Sequence, residues 1–348
     1  MVIRSKNLAP DFNRFLRAIK YEIPDRVPLA EVHVDKSVKE AYLGKKILKP
    51  ADEVEFWYQA GYDYIPVVPE VEFKKEGKDV VATTAQQKQE EKNWADEKQG
   101  AIIDEEDFNN FEWPDADKID YANFIEVSNS LPKGMKIIGR YGYIFTHVWE
   151  LMGFEHFAIS LSENIELVEK LFNKMGEIIY RIYKDMAELK DVKGLWYNDD
   201  LAYTEGLLIN PKYYREYLFP WIKKIGEICK DKEIPFIMHS DGDISPVLED
   251  IIDCGVTAIH PIEPKAMDIL ELRDKVKGRL GLIGNIDLGE TLTRGTPEKV
   301  EKEVREKIDK LGRAGGYCVG SSNSIPDYVP LKNYQAMLDT VLQYGVID

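Results

Sequence analysis

The chain reads as an α/β protein: a single (β/α)8 TIM barrel spanning residues 1–348, with an insertion after its second strand over residues 70–115. Three observations predict it. Short apolar runs rich in Val, Ile and aromatics alternate with amphipathic segments eight times, and strands buried on both faces need not alternate in polarity. Nearly every run ends in polar residues, as strands do when they feed a site at their carboxyl ends. The length of 348 residues, 44% hydrophobic and 31% charged, suits a soluble globular chain that one barrel can fill.

VPLAEVHVD (27–35) is the first strand, and DKSVKEAYLG then reads as a helix. EVEFWYQAG (53–61) is helical and stops at Gly61, after which YDYIPVVPEV (62–71) is the second strand. KIIGRYGYI (136–144), GLWYNDD (194–200) and PFIMHSDGD (235–243) are the third to fifth. TAIHPIEP (257–264), RLGLIGNID (279–287) and GGYCVGSSNS (315–324) complete eight. Helices fill the gaps: 163–191, with apolar residues at three- and four-residue steps; 211–231, in which Pro220 should kink the helix; then 245–255, 267–276, 296–312 and 330–345. Thr296 before Pro297 is a start signal, and Gly255 and Gly312 are natural stops. Strict alternation implies a parallel sheet, and eight units favour closure into a barrel.

Residues 70–115 break the rhythm: polar, charged and too long for a simple connection. VVATTAQ and the segment around Gly100 suit a hairpin, placed either near the barrel mouth or on a solvated surface away from it.

A net charge of −16, from 62 acidic and 46 basic residues, argues against a protein that neutralises phosphate backbones, so no nucleic-acid partner is expected. Three cysteines, Cys229, Cys254 and Cys318, form no disulfide framework and suit a reducing cytosol. No stretch approaches the roughly 18 unbroken apolar residues of a membrane helix. The expectation is a cytoplasmic protein without a membrane partner, its oligomeric state open to homo-oligomers.

In a barrel, polar residues just past the strand ends face the site. Here they are Glu31, His33 and Asp35; Asn198, Asp199 and Asp200; His239, Asp241 and Asp243; His260 and Glu263; Asn285 and Asp287; then Cys318, Ser321, Ser322 and Asn323. Three of the five histidines lie there, and such convergence of titratable groups marks a candidate site. Glycine-rich nucleotide loops, a nucleophile elbow and HExxH are all missing, so nicotinamide, nucleotide-hydrolase and serine-hydrolase chemistries fall away.

HSDGDISPVLEDIIDCGVTAIHPIEP, then RLGLIGNIDLGETLTRGTPEKV, then GGYCVGSSNSIPDYVPLKNYQAM, resemble the uroporphyrinogen decarboxylase superfamily strongly; DRVPLAEVHVD does so more weakly. The resemblance implies the same barrel. It also implies one of two activities: porphyrinogen decarboxylation, or methyl transfer to or from a corrinoid or a thiol. The decarboxylases hold substrate carboxylates with an arginine-rich amino-terminal segment, whereas this chain has no arginine between Arg26 and Arg140. Clustered carboxylates at the mouth would also repel a polyanionic porphyrin.

The methyltransferase branch includes members that bind zinc through His-x-Cys on the fifth strand and a cysteine on the eighth. This chain has His239, Asp241 and Cys318 there, a set zinc accepts. The alternative is that Asp241 orients His239 while Cys318 is a small buried residue. The resemblance therefore implies a methyltransferase that takes a methyl group from a small O- or N-methylated donor. The acceptor would be the cobalt of a corrinoid (cobalamin) carried by a partner corrinoid-binding protein. His239, Asp241 and Glu263 are the catalytic candidates. Glu31, His33, Tyr143, Tyr197, Asp199, His260, Asn285 and Asn323 are the substrate-binding candidates, with Tyr141, Phe145 and Trp196 as a further aromatic wall or as core. A porphyrinogen-type decarboxylase and a non-catalytic small-molecule or corrinoid binder of the same fold are the alternatives.

Overall fold

The computed structural model describes residues 9–71 and 100–347. Seven parallel strands form one sheet: β1 (Tyr64–Val67), β2 (Lys136–Gly142), β3 (Val192–Asn198), β6 (Phe236–His239), β7 (Ala258–His260), β8 (Gly281–Ile286) and β9 (Tyr317–Ser321), in that order. Between them, β4 (Ala202–Tyr203) and β5 (Gly206–Leu207) form a small antiparallel hairpin after β3. The expectation of eight regular strands is met at seven. Residues 27–35 do run beside β9, through parallel bridges Leu29↔Val319 and Val34↔Ile325. The physical reason they form no regular strand lies in their other neighbours. Pro28 has no N–H to donate, and the Glu31 carbonyl accepts from the Tyr64 hydroxyl (3.0 Å) rather than from a β1 amide.

Successive side chains along a strand point to opposite faces, so every second residue faces the interior. One inward residue from each strand joins a single apolar cluster: Tyr64, Ile138, Trp196, Ile237, Ala258, Ile283 and Cys318, with Ala30 and Val32 from the first run. Helix α1 (Phe12–Ile19) closes this cluster from below with Phe12, Phe15, Ala18 and Ile19. Gly281 permits that closure, because a Cβ there would lie 2.9 Å from the Ile19 backbone. The opposite face of each strand packs under the helices: Ile137, Tyr141, Leu195, Tyr197, Phe236 and Met238 all belong to the larger outer core.

The helices fall where capping residues start and stop them. Asp35 caps Lys36–Leu43, which ends at Gly44 (φ 67°); Thr296 caps Pro297–Lys307. Pro220 removes a helix donor, and a wide π-turn over Tyr214–Leu218 precedes Phe219–Asp231. The hairpin expected at VVATTAQ lies outside the described residues. The described part of 70–115 packs along the outer helix Ile165–Glu188, with Lys174 over the Trp113 ring and Lys170 paired to Glu105. Among the described residues no helix is long and apolar enough to cross a membrane.

Candidate active site

Two residues beyond the apolar cluster, the same strands change character. Arg140 follows Ile138, Asn198 follows Trp196, His239 follows Ile237 and His260 follows Ala258. Register puts these side by side: Asn198 pairs with His239, and His239 with His260. The two imidazoles touch through Nδ1 atoms 2.7 Å apart, one donating and one accepting. Burial holds both histidines below the usual imidazole range, His260 far below, so the pair is neutral near pH 7.

The other nitrogen of His239 faces two carboxylates. Nε2 lies 3.7 Å from Asp200 and 3.6 Å from Asp241, and one donor atom from each of the three residues falls within 4.8 Å of the others. The loop after β6 reaches this position because Gly242 (φ 79°) presses against the β4 backbone, where a Cβ would meet Tyr203 O at 2.5 Å. Asp241 accepts from the Asn323 side-chain amide at Oδ2 (2.6 Å), while its buried Oδ1 has no hydrogen-bond partner among the described residues. Desolvation, reinforced by Asp200, pushes the Asp241 carboxyl up to about 7. Glu263, after β7, is pushed up to about 7 by desolvation and the same two aspartates. An orphaned buried carboxylate oxygen beside an imidazole nitrogen and a second carboxylate is a donor set that fits a divalent cation such as zinc.

The remaining candidates separate. Cys318 is fully buried in the apolar cluster, and the residue that joins His239 and Asp241 is Asp200. Cys318 thus lies one strand layer below the mouth, apart from His239 and Asp241, and the group of side chains that could hold a cation is Asp200, His239 and Asp241. Asp199 is fully buried and turned away: it accepts from Phe145 N, Thr146 N, Thr146 Oγ1 and the Tyr197 hydroxyl, capping the helix Ile144–Met152. Tyr197 lies on the outer face, its hydroxyl also accepting from Ile144 N (3.1 Å). Tyr141 and Phe145 join the same outer core, and Trp196 packs edge-on to His260 within the barrel at 5.2 Å. Of the expected aromatic wall only Tyr143 (φ 71°) stays partly open, beside Arg140 and Asn198.

Glu31 is fully buried and accepts from Ser321 N (2.6 Å) and Ser321 Oγ (2.8 Å); desolvation pushes it up to about 8. His33 is held well below its usual range by desolvation and by Arg140 and Lys39. Asn285 (φ 75°) donates to Ile262 O (2.6 Å) and accepts from Lys307, tying the loop after β7 to the helix Pro297–Lys307. Asn323 reaches Asp241 directly.

Arg140 is the residue that sequence reading passed over. It lies inside an otherwise apolar strand run, KIIGRYGYI, and a charge at an inward position was the available signal.

A family model described as uroporphyrinogen decarboxylase (URO-D) matches residues 97–344. A methylcobamide:CoM methyltransferase of Methanosarcina mazei is 28% identical over 137 residues, 39% of this chain and 38% of its own length. A methylated-thiol–coenzyme M methyltransferase of the same organism is 27% identical over 150 residues, 40% of this chain and 39% of its own. The chain therefore matches under two fifths of the length of these curated relatives. Among solved structures, a methyltransferase from Methanosarcina mazei covers 95% of this chain and 98% of its own at a TM-score of 0.68 and 17% identity, a likeness of fold.

Proposed function

The chain belongs to the uroporphyrinogen decarboxylase family, and we propose that within it this protein is a corrinoid-dependent methyltransferase. Its substrate is a small O- or N-methylated donor, and its methyl acceptor is the cobalt of a corrinoid carried by a partner protein. The observation that carries this reading is the grouping of His239, Asp200, Asp241 and Glu263 at one mouth, without a thiolate. Names of the relatives, methylcobamide methyltransferases, support the corrinoid.

An alkoxide or amine leaves poorly unless its charge is neutralised as the bond to methyl breaks. Glu263, pushed up to about 7 and half open to the mouth, holds a proton at neutral pH that it can give to the departing oxygen or nitrogen. Asp200, His239 Nε2 and Asp241 would hold a zinc ion, which when bound supplies Lewis-acid polarisation of that same atom. His260, through its contact with Nδ1, fixes the imidazole of His239 with Nε2 turned to the two aspartates. Partly open Tyr143 and Asn323 bound the space in which the donor is oriented.

Porphyrinogen decarboxylation fits less well. Arg14 and Arg26 both face Asp63, below β1 and away from the mouth, at 2.6 and 3.8 Å. A second methyl-transfer reading, from methylcobamide to a thiol, is favoured by the relatives' names. It is weakened by the absence of a thiolate from the Asp200, His239 and Asp241 set. The deciding experiment supplies free reduced cobalamin with methoxylated and methylamine donors and follows methylcobalamin formation by absorbance. Transfer lost in His239→Ala is the expected result. Methylation of 2-mercaptoethanesulfonate from methylcobalamin, with no donor demethylation, would establish the thiol reading, and no turnover in either direction a non-catalytic binder.

A further inference from the structure

Arg140 is 6% exposed, yet among the described residues no hydrogen bond or ion pair reaches it, and its Nε is buried without a partner. Burial pushes the guanidinium down, and the groups that offset this are the Tyr143 and Tyr183 hydroxyls rather than a carboxylate. Other buried cations of this chain are matched: Lys39 sits on Glu53 at 2.6 Å, and Arg14 on Asp25 and Asp63 at 2.6 Å each. A guanidinium does not lose its proton in a protein, so a desolvated one without a counter-ion is strongly unfavourable in the empty site. It is compensated when an anion arrives. Arg140 also lies where such an anion would meet the chemistry. It follows Ile138 of the interior cluster by two residues, and its charge acts on both His33 and His239.

The two sides of the mouth differ in sign. Asp200, Asp241 and Glu263 lie after β3, β6 and β7, whereas the cation of the mouth is Arg140 on β2, with a neutral His33 near it. From the unpartnered, buried Arg140 at this mouth we propose that the methyl donor is an acid, its carboxylate held by the Arg140 guanidinium. The methylated heteroatom then projects across the mouth toward His239 and Glu263. A planar guanidinium pairs with a carboxylate through two parallel hydrogen bonds, which fixes orientation as well as adding affinity. The assignment deepens the methyltransferase reading and rests on it for the word donor, but the binding does not depend on turnover.

The test measures binding by calorimetry to the purified protein, with methoxyacetate and 4-methoxybenzoate as probes, their neutral amides as controls, and 2-mercaptoethanesulfonate and inorganic phosphate as competing anions. Wild-type protein should bind at least one carboxylate and neither amide. Arg140→Met should weaken that carboxylate roughly 10- to 100-fold, and Arg140→Lys, which keeps the charge and protects the fold, by about tenfold. Equal affinity for acid and amide, or equal acid affinity in wild type and Arg140→Lys, overturns the proposal. So does the absence of carboxylate binding by wild type, or preference for the sulfonate or phosphate over both carboxylates. Arg140-dependent acid binding without any methyl transfer would leave the acid site standing and remove the methyltransferase reading alone.

Discussion

The floor and the mouth of the curled sheet's interior are built from the same strands, two residues apart, and they obey opposite rules. At the floor Ile138, Trp196, Ile237, Ala258 and Cys318 pack together over helix α1. At the mouth Arg140, Asn198, His239 and His260 replace the first four, and several of their polar atoms have no partner among the described residues: Arg140 Nε, Asn198 Oδ1 and His260 Nε2. A buried polar group left unsatisfied costs on the order of 1–3 kcal/mol, so a layer of them is a site held ready for a ligand rather than an efficient core. The floor supplies the rigidity that keeps the mouth assembled.

The comparison breaks most visibly at His239. His239→Ala should lower methyl transfer by about 100- to 10,000-fold while the melting temperature stays near that of wild type, checked by turnover and calorimetry side by side. A loss of fold instead would move His239 into the floor. Trp196→Ala, one layer down, should act in the other sense. It removes the largest fully buried side chain and should cost about 3–5 kcal/mol in denaturant unfolding.

Glu31 sits between the two regimes, buried like the floor but titratable like the mouth. Its carboxyl is raised from 4.5 to about 8 in the fold, so the folded state holds a proton there that the unfolded chain releases earlier. Stability is therefore complete below pH 4.5 and is lost as pH rises toward 8, by on the order of a few kcal/mol from this group. Glu31→Gln keeps an acceptor for Ser321 N, and its amide can donate to Ser321 Oγ once that hydroxyl turns. It should be the more stable protein at pH 8 and nearly equal to wild type at pH 4.5, measured by denaturant unfolding at both. The smallest effect belongs to Cys318→Ala, which should cost about 1 kcal/mol of stability and leave bound metal unchanged when the purified protein is titrated with zinc.

The strand and helix alternation was legible because burial on both faces leaves an apolar run that no loop imitates, and seven of the eight runs became regular strands. The run 27–35 looked the same in one dimension; Pro28 and the Tyr64 hydroxyl decide its edges, and Tyr64 lies more than thirty residues away. His239, Asp241 and Glu263 could be named because strand ends in such a fold converge. Asp199 and Asp200 could not be told apart, since adjacent residues of a loop can turn opposite ways. One caps the helix Ile144–Met152 and the other joins His239.

The sequence by itself determined the α/β class, the order of the elements, the family, and the strand ends at which the polar candidates gather. Those follow from hydrophobic periodicity and local motifs, which are properties of neighbouring residues. Only the tertiary structure decided which polar groups have partners. It put Cys318 in the floor and Asp200 beside His239, and among the described residues it left Arg140 without a carboxylate. Partnership depends on where seven strands and their loops stand relative to one another, and that geometry is fixed by packing across the whole sheet and its helices, not by spacing along the chain.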